Sequence, residues 1–418
     1  MFVRLSVMMF LQYFVQGAYL PVVSVYVREA LGFSNTQIGY FSAALAVGPM
    51  LAPFLIGQFV DRYFATERVM AFCHLAGGVL MLCLWTQTEP WMIIGIGMVY
   101  SLLYVPTMML SNLIAFRHLT NSDAQFPRVR LFGTIGFILP AYLVEFWWLQ
   151  GLDGAELQNG RGIVFVLSGG VGILLGLYCL SLPNTPPQPG KERSYAPATV
   201  LRMFTQRDFA VLIVVSFFIA IAHQFFFVWN SPFLRDILDS GGVTGAYEQS
   251  ISSVGQICEI GVMAGLGLLI GRLGFKWTMT IGAFAYTLRC VLLGLVFVVD
   301  PPFAGKIAIA MVGQALHGFC FGCFMAVAYM YVDRIAPADV KGSMQTMYGT
   351  LILALGFFVG GLVGGWIGNV FSDSEGNVEN WAGLWWSCAV LAGVCTVAFA
   401  VLFPDRPPLD AAEVGGDG

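Results

Sequence analysis

Glu259 lies inside an apolar stretch three residues after Gln256, so both side chains leave one face of a helix. An apolar surrounding favours the protonated carboxyl, and an approaching cation favours the ionised one. Such a group can carry a proton or hydrogen-bond a solute; an ion pair with Arg289 is the structural alternative. Other polar groups recur at helical spacing in equally apolar stretches. Gln12 and Gln16 are four apart, and their amides suit either a neutral polar solute or a neighbouring helix. Arg130, Thr134 and Phe137, at i, i+4 and i+7, set a cation, a hydroxyl and a ring on one face. Tyr104, Pro106, Thr107 and Asn112 interrupt another run: the proline reads as a kink, Tyr104 and Asn112 as cavity lining. His223, Gln224, Trp229 and Asn230 share one stretch. His317, Phe321 and Phe324 repeat the i, i+4, i+7 pattern with rings able to stack on a planar solute. His74 reads as a satisfied core histidine, and Glu145 as a hydrated carboxylate near the outer interface.

This is binding chemistry without a reaction. The chain has no H-E-x-x-H zinc motif, no Gly-x-Ser-x-Gly nucleophile elbow and no phosphate loop, so neither enzyme nor ATP-driven motor is expected. No metal and no cofactor are expected. Cys320 and Cys323 form a C-x-x-C pair inside an apolar segment, and all nine cysteines sit in such runs. They read as small packing residues rather than disulfide partners.

Composition says what must hold these groups. Of 418 residues, 58% are hydrophobic and 11% charged, with a mean hydropathy of +0.77. A soluble domain is about a quarter charged, so most of this surface must face lipid. A net charge of −4 with no basic stripe excludes nucleic acid as a partner. A spanning helix needs about 20 apolar residues. Twelve such stretches occur, near 5–27, 37–60, 68–87, 91–116, 131–150, 162–182, 209–234, 248–271, 277–299, 304–332, 343–370 and 380–403. The first reads as a spanning helix rather than a removed signal, since no cleavage site follows it. The eleventh is glycine-rich, suiting close helix packing or a flexible gate.

With both termini cytoplasmic, fifteen of the 20 Lys and Arg fall on the cytoplasmic side and four opposite, with Arg289 inside a span. That asymmetry alternates correctly along the chain. The proline-rich segment 183–208 reads as a cytoplasmic linker between six-helix bundles at 1–182 and 209–404, with 405–418 a cytoplasmic tail. Gly57, Asp61 and Arg62 after the second span are echoed 210 residues later by Gly267 and the loop through Gly271 and Arg272. A duplicated six-helix unit is the mark of a transporter with two pseudo-symmetric halves. The fold class is therefore an all-α membrane protein of twelve helices in two bundles.

The Gly57-x-x-x-Asp61-Arg62 loop resembles the signature of the major facilitator superfamily along essentially the whole chain. Within it, the chain is similar to the nucleoside:proton symporters. The resemblance is carried by Tyr104-x-Pro-Thr with Asn112, by Phe126-Pro with Arg130-x-x-Gly-Thr-Ile-Gly-Phe137, by Gln224, and by Gln256-x-x-Glu259. It implies a nucleoside pocket lined by Arg130, Thr134, Phe137, Gln224, Gln256 and Glu259, the amides and carboxyl bonding ribose and base while the phenylalanine stacks. It also implies alternating access, proton-coupled import and residence in the cell (inner) membrane, by a chain expected to work alone.

Three positions depart from the family pattern. An aspartate after the tenth-span phenylalanine is Gly322, a pocket tyrosine is His317, and a seventh-span asparagine is Phe227. Glu259, with His317, is then expected to carry the proton. A uniporter, or a carrier of a sugar or aromatic metabolite, is the alternative, and a receptor that binds solute without moving it is a further one.

Overall fold

The computed structural model describes residues 1–55, 63–186, 206–336, 344–345 and 347–404. In hydrocarbon every backbone N–H and C=O must be satisfied within its own segment. Accordingly the described residues are nearly all helical, with one isolated bridge, Ser372 to Val378, in place of any sheet. In chain order they form α1 (Phe2–Tyr19), α2 (Val23–Glu29), α3 (Asn35–Leu55), α4 (Thr66–Trp85), α5 (Pro90–His118), α6 (Ser122–Leu143), α7 (Gly154–Gly160) and α8 (Ile163–Cys179). There follow α9 (Arg207–Ser240), α10 (Glu248–Val299), α11 (Phe303–Phe319), α12 (Val327–Ile335), α13 (Leu355–Val370) and α14 (Trp381–Leu402). Wider π-helical turns occupy Val144–Trp148, Cys320–Ala326 and Tyr348–Ala354, so α11 and α12 form one span, Phe303–Ile335.

Ten helices among the described residues are long and apolar enough to cross a membrane. One of them, α10, is 52 residues long and is broken at Gly274, whose φ of 69° and ψ of 178° leave the helical region. That left-handed φ favours a residue without Cβ. The sequence places a loop at Gly267–Arg272; those residues are instead helical, and the chain turns only at Gly274. The apolar Leu268, Leu269 and Ile270 let the helix run on until a residue can take the turn. The first expected span is likewise two helices, α1 and α2, parted by a turn around Pro21. Gly57, Asp61 and Arg62, most of the linker 183–208 and the tail 405–418 lie outside the described residues. All nine cysteines are free thiols.

The chain divides into two compact units, Met1–Lys191 with Phe227–Ser250, and Glu192–Phe226 with Ile251–Gly418. In the first, α1 crosses α6 at backbone contact. A Cβ built on Gly136 would lie 2.2 Å from the Phe10 carbonyl oxygen, and one on Gly17 would lie 2.1 Å from that of Phe137. Small residues are what allow helices this close in a membrane. Around this crossing Leu5, Met8, Met9, Ile114, Val129 and Leu175 form a buried core. The second unit has its own core, in which Leu212, Met279, Phe324, Tyr331, Tyr348 and Phe399 are buried.

The first unit also buries a charge network. Arg161, 1% exposed, donates to Glu29 Oε2 and to Glu248 Oε1, each at 2.7 Å. Arg235 donates to the same Glu248 oxygen at 3.1 Å, to Asp239 at 2.6 Å and to the Gly245 carbonyl at 2.9 Å. Glu145 is not the hydrated carboxylate that its interfacial position suggests: it is 3% exposed. It accepts from the backbone N–H of Gln249 at 2.5 Å and of Ser250 at 2.9 Å, and from the Ser250 hydroxyl. Those N–H groups belong to the first turn of α10, which has no intrahelical partner for them. A carboxylate at a helix N-terminus supplies the acceptors and matches the helix dipole.

Candidate functional site

The sequence-derived residues fall into a set in each unit. In the first, Gln12 and Gln16 separate in role despite sharing a face. Gln12 is fully buried. Its Nε2 donates to Thr107 Oγ1 at 2.8 Å, and its Oε1 accepts from His74 Nε2 at 2.8 Å. Because an amide oxygen can only accept, the His74 proton sits on Nε2. The Tyr104 hydroxyl donates to the Gln12 carbonyl at 2.6 Å. Tyr104 is itself buried, stacked on Tyr100 with centroids 5.4 Å apart, and with His74 and Tyr100 it lines a small closed cavity inside this unit. Gln16 is half-buried, and its amide has no hydrogen-bond partner among the described residues.

Two consequences follow. Gln12→Leu strands the His74 Nε2 proton in the core, at about 1–3 kcal/mol for an unsatisfied group, while the Thr107 hydroxyl keeps its bond to the Tyr104 carbonyl, so thermal unfolding of the detergent-solubilised variant should shift down by several degrees. Gln16→Leu should leave that midpoint in place and raise the KM for solute instead; a stability loss equal to that of Gln12→Leu would contradict the assignment.

Arg130 lies with its guanidinium 4.0 Å over the Tyr13 ring, a cation–π contact that holds it against α1. Thr134 and Phe137 follow on the same face of α6, each half-buried. The crossing sets the Phe137 backbone against Gly17, the residue that follows Gln16 in α1. Asn112 on α5 is half-buried, with Oδ1 enclosed and unpartnered among the described residues. A ring, a hydroxyl, a cation and two unspent amides are therefore available in the first unit.

In the second unit, α10 and the Phe303–Ile335 span meet closely enough to assemble the rest. A Cβ on Gly255 would lie 3.0 Å from His317 Cβ, and one on Gly318 would lie 2.7 Å from the Glu259 backbone nitrogen. These contacts bring Gln256 and Glu259 alongside His317. Both are half-buried, and the Gln256 amide is unpartnered among the described residues. Gln224, on α9, is packed by Gly360 of α13, whose Cβ would meet its Cβ at 2.8 Å. The glycine-rich helix thus serves packing here. Phe321 sits on the π-helical turn with 36% of its surface exposed. A Cβ at position 322, in the same turn, would lie 2.8 Å from Val262 Cγ1, so a side chain there requires Val262 to shift.

A cluster behind these residues was not legible as such in the sequence. Arg289 is fully buried, 3.7 Å over the Phe226 ring, with Nη1 3.1 Å from His317 Nδ1. Its Nε and Nη2 have no hydrogen-bond partner among the described residues. A guanidinium can only donate, so His317 Nδ1 is the acceptor and the ring carries its proton on Nε2. His223 stacks on His317 at 5.7 Å and bonds the Tyr286 hydroxyl through Nδ1 at 2.7 Å. Arg289 as the one cation within a span, and two histidines in apolar runs, were the available signals; nothing in their spacing pairs them. No metal-holding cluster of His, Cys, Asp or Glu occurs among the described residues.

The profile of the nucleoside H+ symporter family matches residues 1–407. YegT of Escherichia coli K12, itself provisionally described as a nucleoside transporter, is 28% identical over 407 residues, spanning 96% of this chain and 93% of that protein. The xanthosine permease of the same strain is 25% identical over 412 residues, covering 96% and 94%. The crystal structure of the nucleoside transporter NupG superposes with a TM-score of 0.84 at 22% identity, covering 97% of this chain and 99% of that one.

Proposed function

Because the chain belongs to the nucleoside H+ symporter family, we propose that it carries nucleosides across the cell membrane together with protons, by alternating access of a site near mid-membrane. The match along residues 1–407 carries this reading. The two sets of side chains support it chemically. Phe137 and Phe321 offer rings to a base, while Gln16, Thr134, Gln224, Gln256 and Glu259 offer donors and acceptors to ribose hydroxyls and base edges. No step makes or breaks a covalent bond in the solute.

Glu259 is the proton carrier of this reading. His317 is the weaker choice, because its one basic nitrogen already accepts from Arg289 and protonation there would require that bond to break. Glu259→Gln keeps the shape and one acceptor but cannot ionise. Its uptake, whatever the rate, should no longer respond to an inward proton gradient. A gradient response equal to that of the parent chain would remove Glu259 from the coupling step.

Counterflow tests the substrate class apart from coupling. Proteoliposomes loaded with unlabelled uridine and diluted into labelled uridine should accumulate label transiently, and liposomes loaded with a sugar should not. The reverse pattern would favour a sugar carrier. Gly322, in place of the family's carboxylate, gives a second reading its footing: a uniporter would show full counterflow with no gradient response.

A further inference from the structure

Helices α10 and α11 enclose, on one side of their contact, an apolar groove with a volume of about 670 Å³. Gly261, Gly265 and Leu268 line it from α10, Val312 and Phe319 from α11, and a single charged residue, Arg272, ends it. The helical repeat of about 100° per residue puts Gly261, Gly265 and Leu268 on the side of α10 turned away from Gln256 and Glu259. It likewise turns Val312 and Phe319 away from His317 and Phe321. The groove is therefore separate from the candidate solute site.

Its length and charge suggest what it holds. From Cys258 to Arg272 the helix advances about 21 Å at 1.5 Å per residue, somewhat more than the roughly 15 Å of hydrocarbon in one leaflet. Arg272 is exposed and has no hydrogen-bond or ion-pair partner among the described residues. Near it, Lys276 lies 5.5 Å over the ring of Trp277, which is 45% exposed, and Arg334 lies 5.6 Å over Phe275. An exposed tryptophan beside cations marks a headgroup level, and arginine binds phosphate oxygens in pairs.

We propose that this groove holds one acyl chain of an anionic phospholipid, its phosphate seated at Arg272. The proposal rests on the spanning topology and on no assignment of solute. Glycines at 261 and 265 leave the floor open: a Cβ built on either meets nothing within 4 Å. Gly265→Leu therefore projects a side chain into the groove from a position where its Cβ meets no neighbour.

The test uses the full chain in vesicles of equimolar phosphatidylcholine and phosphatidylglycerol, extracted gently and weighed by native mass spectrometry. The parent chain should retain phosphatidylglycerol in preference to phosphatidylcholine. Arg272→Gln should lose the preference, and Gly265→Leu should lose the retained lipid of either kind while keeping the parent's unfolding midpoint. Equal retention of both lipids by the parent, or an undiminished preference in Arg272→Gln, would overturn the proposal. The readout is bound lipid, so neither result depends on what the protein carries.

Discussion

Gly136→Leu should abolish uptake and most of the folded population together. The Cβ alone would lie 2.2 Å from a backbone oxygen, and the rest of the leucine would have to pass through α1. Ordinary overpacking costs about 1–3 kcal/mol because side chains can shift; here the obstacle is a helix backbone that cannot. Separating α1 from α6 also removes Arg130 from Tyr13 and the Phe137 backbone from Gly17, so any folded remainder should bind solute poorly. Gly95→Ala is the control. A Cβ there meets nothing within 4 Å, and alanine in a helix is favoured over glycine by up to about 1 kcal/mol. Thermal unfolding in detergent should place Gly95→Ala at or above the parent and Gly136→Leu far below it. Similar midpoints for both would mean the crossing is not this tight.

Arg161→Gln should be nearly as damaging, for an electrostatic reason. Removing one partner of a buried ion pair costs about 3–5 kcal/mol, because the remaining charge stays out of water unpaired. Arg161 serves two carboxylates. Glu248 is 3% exposed and keeps Arg235; Glu29 is 20% exposed, so solvent moderates its share. A fall of many degrees in the unfolding midpoint is expected. Arg161→Lys should recover only part of it, since one ammonium cannot reproduce two separately directed guanidinium bonds. Full recovery with lysine would reduce the network to simple charge balance.

Long-range averages of hydropathy are what the fold writes most plainly into this sequence. Apolar runs of about 20 residues marked the spans, and Gly274 lies between the eighth and ninth of them because only a break can divide 52 helical residues into two crossings. Helical spacing puts Gln256 and Glu259 on one face, and the turn of α10 that carries them packs against the turn that carries His317. It could not tell Gln12 from Gln16, because periodicity gives a face but not which neighbour the face meets. That depends on Thr107 and His74, 95 and 62 residues away in the chain. The burial of Glu145 was hidden for the same reason: its partner is a helix N-terminus 104 residues later. The π-helical turn at Cys320–Ala326, which carries Phe321 and Gly322, left no trace in a pattern that assumes 3.6 residues per turn.

The central claim is that this chain moves nucleosides with protons although Gly322 stands where its relatives' pattern implies a carboxylate. Labelled uridine uptake into proteoliposomes, with and without an inward proton gradient and with a protonophore control, tests it most directly. The account predicts uptake that rises with the gradient, falls to the basal level with the protonophore, and loses this dependence in Glu259→Gln. Uridine uptake indifferent to the gradient in the parent chain would contradict the coupling, and no uridine uptake by demonstrably folded protein would contradict the substrate.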